Sequence, residues 1–222
     1  SFFANTDETG SQICSFYTGA MQHAREISLK AIPVQKPALA IVSPNDPVAM
    51  RQYANECRDL RIPFIYDPSQ QIARLSGDDL KAGIRGAAML IVNEYELEMF
   101  LRKTGMKAEA ILDEAETVVV TLAERGAEIR SRNGTLAIPP GKPDCILDPT
   151  GVGDAFRAGL MKGMIHGLPW EVAGRMGSLA AVYVLETEGP QSHRYDIGDF
   201  AERYESVFGE KLVIGMPQPD RA

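Results

Sequence analysis

The residues with the most chemical content lie in Asp148-Pro-Thr-Gly-Val-Gly-Asp154, followed by Ala-Phe-Arg-Ala-Gly159. Gly151 and Gly153 let the backbone turn tightly with no side chain in a ligand's way, and Asp154 opens an apolar-periodic helix, Ala155–His166. A glycine turn feeding a helix amino terminus aims several N–H groups and the helix dipole at one point. That is an anion pocket, suited to the charge that develops on a transferring phosphoryl group. A carboxylate beside it repels phosphate, so it makes little sense as a ligand. It makes sense as a general base that takes the proton of an attacking hydroxyl. The same residues also read as a plain helix start, with Asp154 as N-cap and the glycines as turn formers.

Two further groups stand where strands end. Asn93 and Glu96, three residues apart at a helix start, share one face and could hold waters around Mg²⁺. Asn-x-x-Glu is equally the pattern of a capping box. Thr121-Leu-Ala-Glu-Arg-Gly126 offers a hydroxyl and a glycine to nucleotide phosphates, or simply a turn. The histidines His23, His166 and His193 are scattered and suggest no nucleophilic triad.

Positioning these groups requires a sheet whose strands end together. The β-branched runs Leu39–Val42, Phe64–Tyr66, Met89–Val92 and Val118–Leu122 read as strands buried on both faces. Between them lie the helical patterns Pro47–Leu60, Ser69–Leu75, Asp78–Ile84, Glu94–Lys103 and Ala108–Ala115. Ala155–His166, Trp170–Leu185 and Ile197–Phe208 follow. Ser11–Tyr17 and Ala127–Ile138 read as hairpin strands, the second turning at Asn133-Gly134. This alternation predicts one α/β domain over residues 1–222, with a mostly parallel sheet and helices on both faces. Ligands in such sheets sit at the carboxyl ends of the strands, which here carry Asp67, Asn93 and Thr121.

Composition narrows the partners. With 23 basic and 30 acidic residues the net charge is -7, so nonspecific binding to nucleic acid is not expected. No apolar run approaches the ~20 residues that span a bilayer. The three cysteines (Cys14, Cys57, Cys145) show neither a zinc pattern nor a pair. They read as small hydrophobes in a reducing compartment, and the chain as cytoplasmic.

In order and content these motifs resemble the PfkB/ribokinase family of carbohydrate and nucleoside kinases, closest to its bacterial adenosine kinase-like branch. Asp148–Gly159 is similar to the family signature D-x-x-G-x-G-D-A-F-x-A-G, Asn93–Glu96 to its N-x-x-E motif, and Thr121–Gly126 to its T-x-G-x-x-G turn. Ser43-Pro-Asn45, Asp67-Pro68 and Leu185-Glu-x-x-Gly-x-Gln-x-His193 add to the likeness. The resemblance implies a ribokinase-like fold with its small β lid largely missing, because it covers only the carboxy-terminal two-thirds of family members. The acceptor-binding aspartate and glycine pair is expected to lie in the part not represented.

It further implies that Asp154 is the catalytic base and that the amides of Gly151, Val152 and Gly153 form the anion hole. Asn93 and Glu96 are then assigned to the Mg²⁺–phosphate region, and Thr121 and Gly126 to the nucleotide. Ser178 falls near the adenine, and Asp148 and Thr150 at a site for a monovalent cation such as K⁺. Ala123 stands where the family's turn has glycine, a departure at the point of closest approach to phosphate. The implied activity is ATP-dependent phosphorylation of a hydroxymethyl group on a nucleoside or sugar, adenosine first, in a monomer or homodimer. The alternative is a nucleotide-binding module without phosphotransfer.

Overall fold

The computed structural model describes residues 2–6, 12–32 and 35–214. Its centre is a six-stranded sheet of β3 (Ala40–Val42), β4 (Phe64–Tyr66), β5 (Met89–Asn93), β6 (Thr117–Thr121), β7 (Ala127–Ser131) and β8 (Gly134–Ile138), adjacent in that order. The first three pairings are parallel and the last two antiparallel. A separate antiparallel pair is formed by β1 (Phe2–Thr6) and β2 (Gln12–Phe16). It contains most of the expected Ser11–Tyr17 hairpin strand; Ser11 itself lies outside the described residues.

Side-chain alternation divides the sheet's two faces. Phe64, Tyr66, Leu90, Val92, Val118 and Val120 pack with helices α1 (Pro47–Asp59), α2 (Gly77–Ile84) and α3 (Glu94–Thr104). Ile65, Met89, Ile91 and Val119 pack with α4 (Val152–Ile165) and α5 (Trp170–Leu185). Burial on both faces is why these strands are continuously apolar. Helix α6 (Ile197–Phe208) seals the outside of α5 through Phe200 and Tyr204. Helices α4 and α5 approach closely because a Cβ on Gly159 would stand 2.5 Å from the Met176 carbonyl oxygen. Burial pushes the Cys57 thiol up to about 11, which agrees with its reading as a small hydrophobe.

Four local readings change. Ser69–Leu75 and Ala108–Ala115 are short 3-10 turns, Ser69–Ala73 and Glu109–Asp113, too brief to sustain an α-helical ladder. The hairpin turn is Arg132-Asn133, with Gly134 already paired to Ser131. Helix α4 begins at Val152, three residues before the expected start, because Gly151 at φ +86° takes the left-handed cap position. Asp154 is therefore the third residue of the helix and not its N-cap.

Candidate active site

The carboxyl edge of the parallel strands gathers the polar groups. Asp67 follows β4, its N–H donating to the Val42 carbonyl at 3.0 Å. Asn93 and Thr121 are register partners across β5 and β6, so they stand side by side.

Asn93 caps α3 in a reciprocal capping box: its Oδ1 accepts the Glu96 N–H, and Glu96 Oε2 accepts the Asn93 N–H, both at 2.8 Å. Both open readings of this pair meet here, since the box that ends the strand also fixes the direction of the Glu96 carboxylate. Glu94 next to it pairs with Arg125, joining the start of α3 to the turn after β6.

That turn shows why its glycine is there. Gly126 sits at φ +89°, and a Cβ on it would lie 2.1 Å from the Ile138 carbonyl oxygen. Ala123, where the family pattern has glycine, adopts φ +53°. A left-handed conformation costs an L-residue ~1–2 kcal/mol. Ala123→Gly is accordingly expected to raise stability by about 1 kcal/mol, less the extra chain entropy of glycine. Equilibrium urea unfolding checks this, and an unchanged or lower midpoint would mean that the conformation carries no strain.

The start of α4 leaves its amino-terminal N–H groups open. No side chain caps it. The Val152 N–H makes a long 3.3 Å bond to the Pro149 carbonyl. The Gly153 and Asp154 N–H groups are the first-turn donors with no acceptor inside the helix. The exposed Asp154 carboxylate stands beside them.

Asp148 holds this turn from the other side. Its Oδ1 accepts the Thr150 N–H at 2.8 Å and its Oδ2 the Gly189 N–H at 2.9 Å. The Thr150 hydroxyl and these amides lower the acid's pKa. The link lays Pro190 against Gly151, so the 185–193 segment of the motif set folds onto the signature turn. The structure thus gives Asp148 a tethering job.

Ser178 has a comparable role. It is buried, and its hydroxyl donates to the Pro139 carbonyl at 2.9 Å, fastening α5 to the segment after β8. This hydroxyl is turned into the protein.

Sequence reasoning left one group out. Arg157 ion-pairs with Asp67, Nη2 donating to Oδ1 at 2.8 Å and Nε lying 2.6 Å from Oδ2. Burial pushes the Asp67 acid up and the guanidinium opposes it, while the negative charges of Glu96 and Asp154 push it further up. An arginine three residues after Asp154, on an otherwise apolar helix face, was the available signal. Among the described residues no ready-made cluster of three or more metal ligands exists. Mg²⁺ is usually held by one or two carboxylates, substrate phosphates and water. Glu96 fits as that carboxylate.

The site thus combines, at the edge of a parallel sheet, an uncapped helix start with an exposed carboxylate, and comparison with known proteins gives its family. The model for the pfkB family of carbohydrate kinases matches residues 3–196. The chain belongs to that family. It is 27% identical to a nucleoside kinase of Methanocaldococcus jannaschii over 90% of this chain and 65% of that protein. The solved nucleoside kinase of Burkholderia thailandensis, in complex with inosine, superposes with a TM-score of 0.90 at 34% identity. That match covers 95% of this chain and 69% of the solved one. The M. jannaschii nucleoside kinase structure gives a TM-score of 0.82 at 25% identity. The chain spans about two thirds of the length of these relatives. No helix among the described residues is long and apolar enough to cross a membrane.

Proposed function

We propose that the protein is an ATP-dependent nucleoside kinase that phosphorylates the hydroxymethyl group of its acceptor, adenosine or a related purine nucleoside first. The observation that carries this reading is the α4 start: an exposed carboxylate at the third helical residue, beside uncapped N–H groups at the edge where strands β4, β5 and β6 end. In the reading, Asp154 takes the proton of the acceptor hydroxyl as its oxygen attacks the γ-phosphorus. The Gly153 and Asp154 amides, with the helix dipole, stabilise the charge on the transferring phosphoryl. Val152 contributes less, because its N–H already faces Pro149. Thr121 and the turn closed by Gly126 lie where the nucleotide phosphates would meet the strand ends. Mg²⁺, when bound, neutralises phosphate charge, and Glu96, held in direction by Asn93, would receive it or its waters. The similarity to nucleoside kinases, one of them seen with inosine, supports nucleoside over sugar as acceptor.

The test is ADP release by the full-length protein from ATP and Mg²⁺ across a panel of purine nucleosides, pyrimidine nucleosides and sugars, with product identified by mass. Turnover confined to purine nucleosides is the expected result. A sugar preferred over every nucleoside would overturn the acceptor assignment, and no ADP with any acceptor would overturn the activity.

Glu96→Gln separates metal binding from capping. Glutamine keeps an oxygen for the Asn93 N–H, so unfolding free energy should change by less than about 0.5 kcal/mol. Removing the charge should raise the Mg²⁺ concentration for half-maximal rate about tenfold. An unshifted Mg²⁺ titration would leave Glu96 a capping residue only.

A further inference from the structure

The α4 start is underdetermined by its own sequence. Gly151 and Gly153 flank it, and no side chain caps it. Something outside the turn must fix where the Asp154 carboxylate points. Asp148 and Pro190 hold the Gly151 side. On the other side stands Arg157.

Helical side chains lean toward the amino terminus, so Arg157 reaches back over the first turn of its own helix. Its Nη1 lies 2.7 Å from where a Cβ on Gly153 would stand. Gly153 has no left-handed φ, and its missing side chain leaves room for the guanidinium as it now lies. On its other edge the guanidinium holds Asp67 by one hydrogen bond, from Nη2, with Nε in ion-pair contact but making no hydrogen bond. The pair is nearly dry, with 14% of the Arg157 side chain and 3% of the Asp67 side chain exposed. Asp67 is in turn tied by its N–H to the end of β3. A planar guanidinium with two contacts on one carboxylate has a fixed orientation that lysine cannot reproduce. It also places a positive charge among Asp67, Glu96 and Asp154, which otherwise repel one another.

We propose that Arg157, through Asp67, is a positioning residue that fixes the 151–154 turn against the end of β4 and so aims Asp154 at the acceptor. The proposal rests on the phosphotransfer reading for its catalytic half. Its structural half stands apart from that reading.

Full-length Arg157→Met and Arg157→Lys test it by amide hydrogen exchange and steady-state kinetics. In Arg157→Met, the hydrogen-bonded amides 155–158 that follow the turn should exchange at least about tenfold faster while those of β5 are unchanged. The kcat should fall about 10–100-fold with KM for ATP within about threefold, as expected of a misaimed base and an intact nucleotide site. Arg157→Lys, which keeps the charge and loses the fork, should recover only a few-fold of that loss. If the unpaired Asp67 prevents Arg157→Met from folding, Asp67→Asn/Arg157→Met leaves no buried carboxylate alone and should show the same losses. Unchanged exchange at 155–158 overturns the proposal. So does faster exchange with kcat within twofold of the parent, which makes the pair a support for folding alone. Full rescue by lysine also overturns it, because charge would then suffice. Should the parent phosphorylate nothing, the kinase reading fails, and the exchange measurement still decides whether the pair fixes the turn.

Discussion

Asp154→Asn is expected to lower kcat about 10²–10⁴-fold while leaving the KM for ATP nearly unchanged. Asparagine matches aspartate in size but cannot take the acceptor's proton at neutral pH. The loss should therefore fall on the chemical step. The structural consequence is small, because Asp154 is an exposed third-position residue and no side chain caps this helix. What asparagine gives up is the favourable meeting of a negative charge with the helix dipole, ~0.3–1 kcal/mol. Steady-state kinetics beside thermal unfolding separates the two. Turnover within a few-fold of the parent would remove Asp154 from the mechanism. A large fall in melting temperature would instead show that its role is in folding.

Gly151→Ala should damage both stability and rate. At φ +86° a left-handed alanine costs ~1–2 kcal/mol. Its Cβ would also stand 2.6 Å from Pro190 Cβ, and relieving such overpacking costs ~1–3 kcal/mol more. The sum, about 2–5 kcal/mol, corresponds to a melting temperature lower by roughly 4–20 °C for a chain of this size. Relief of the clash must move either the 185–193 segment or the α4 start. A displacement near 1 Å at Asp154 should lower kcat about 10²-fold. Gly167→Ala is the control: φ is +66° and nothing lies within 4 Å of its Cβ, so only the ~1–2 kcal/mol conformational cost applies and kcat should not move. Equal rate losses in the two variants would mean that the Gly151 effect is not local to the turn.

The fold was largely legible because burial on both faces leaves a pattern that survives in one dimension. The four β-branched runs became β3 to β6, and Trp170–Leu185 and Ile197–Phe208 became α5 and α6 with the same ends. Local chemistry was legible too, where the partners are close in the chain. The Asn93–Glu96 capping box is an example, since its donors and acceptors are three residues apart. The misread segments are those in which periodicity is too short to choose between an α-helix and a 3-10 turn, as at Ser69–Ala73 and Glu109–Asp113. The early start of α4 followed from a backbone dihedral at Gly151, which residue type permits but does not dictate.

By itself, the sequence determined which residues carry chemistry and that strand ends would present them: Asp67, Asn93, Thr121 and the 148–154 signature. Hydrophobic periodicity and glycine spacing are local properties, and they need no knowledge of the rest of the chain. Only the tertiary structure decided which side chains are engaged in contacts within the protein. Ser178 turned inward to Pro139, Asp148 became the tether of Gly189, and Arg157 met Asp67 from a position 90 residues away in the chain. Each of these pairings depends on where α4 and α5 lie on the sheet. That position is set by whole-face packing around Phe156, Leu160 and Ile91 and is written in no single segment.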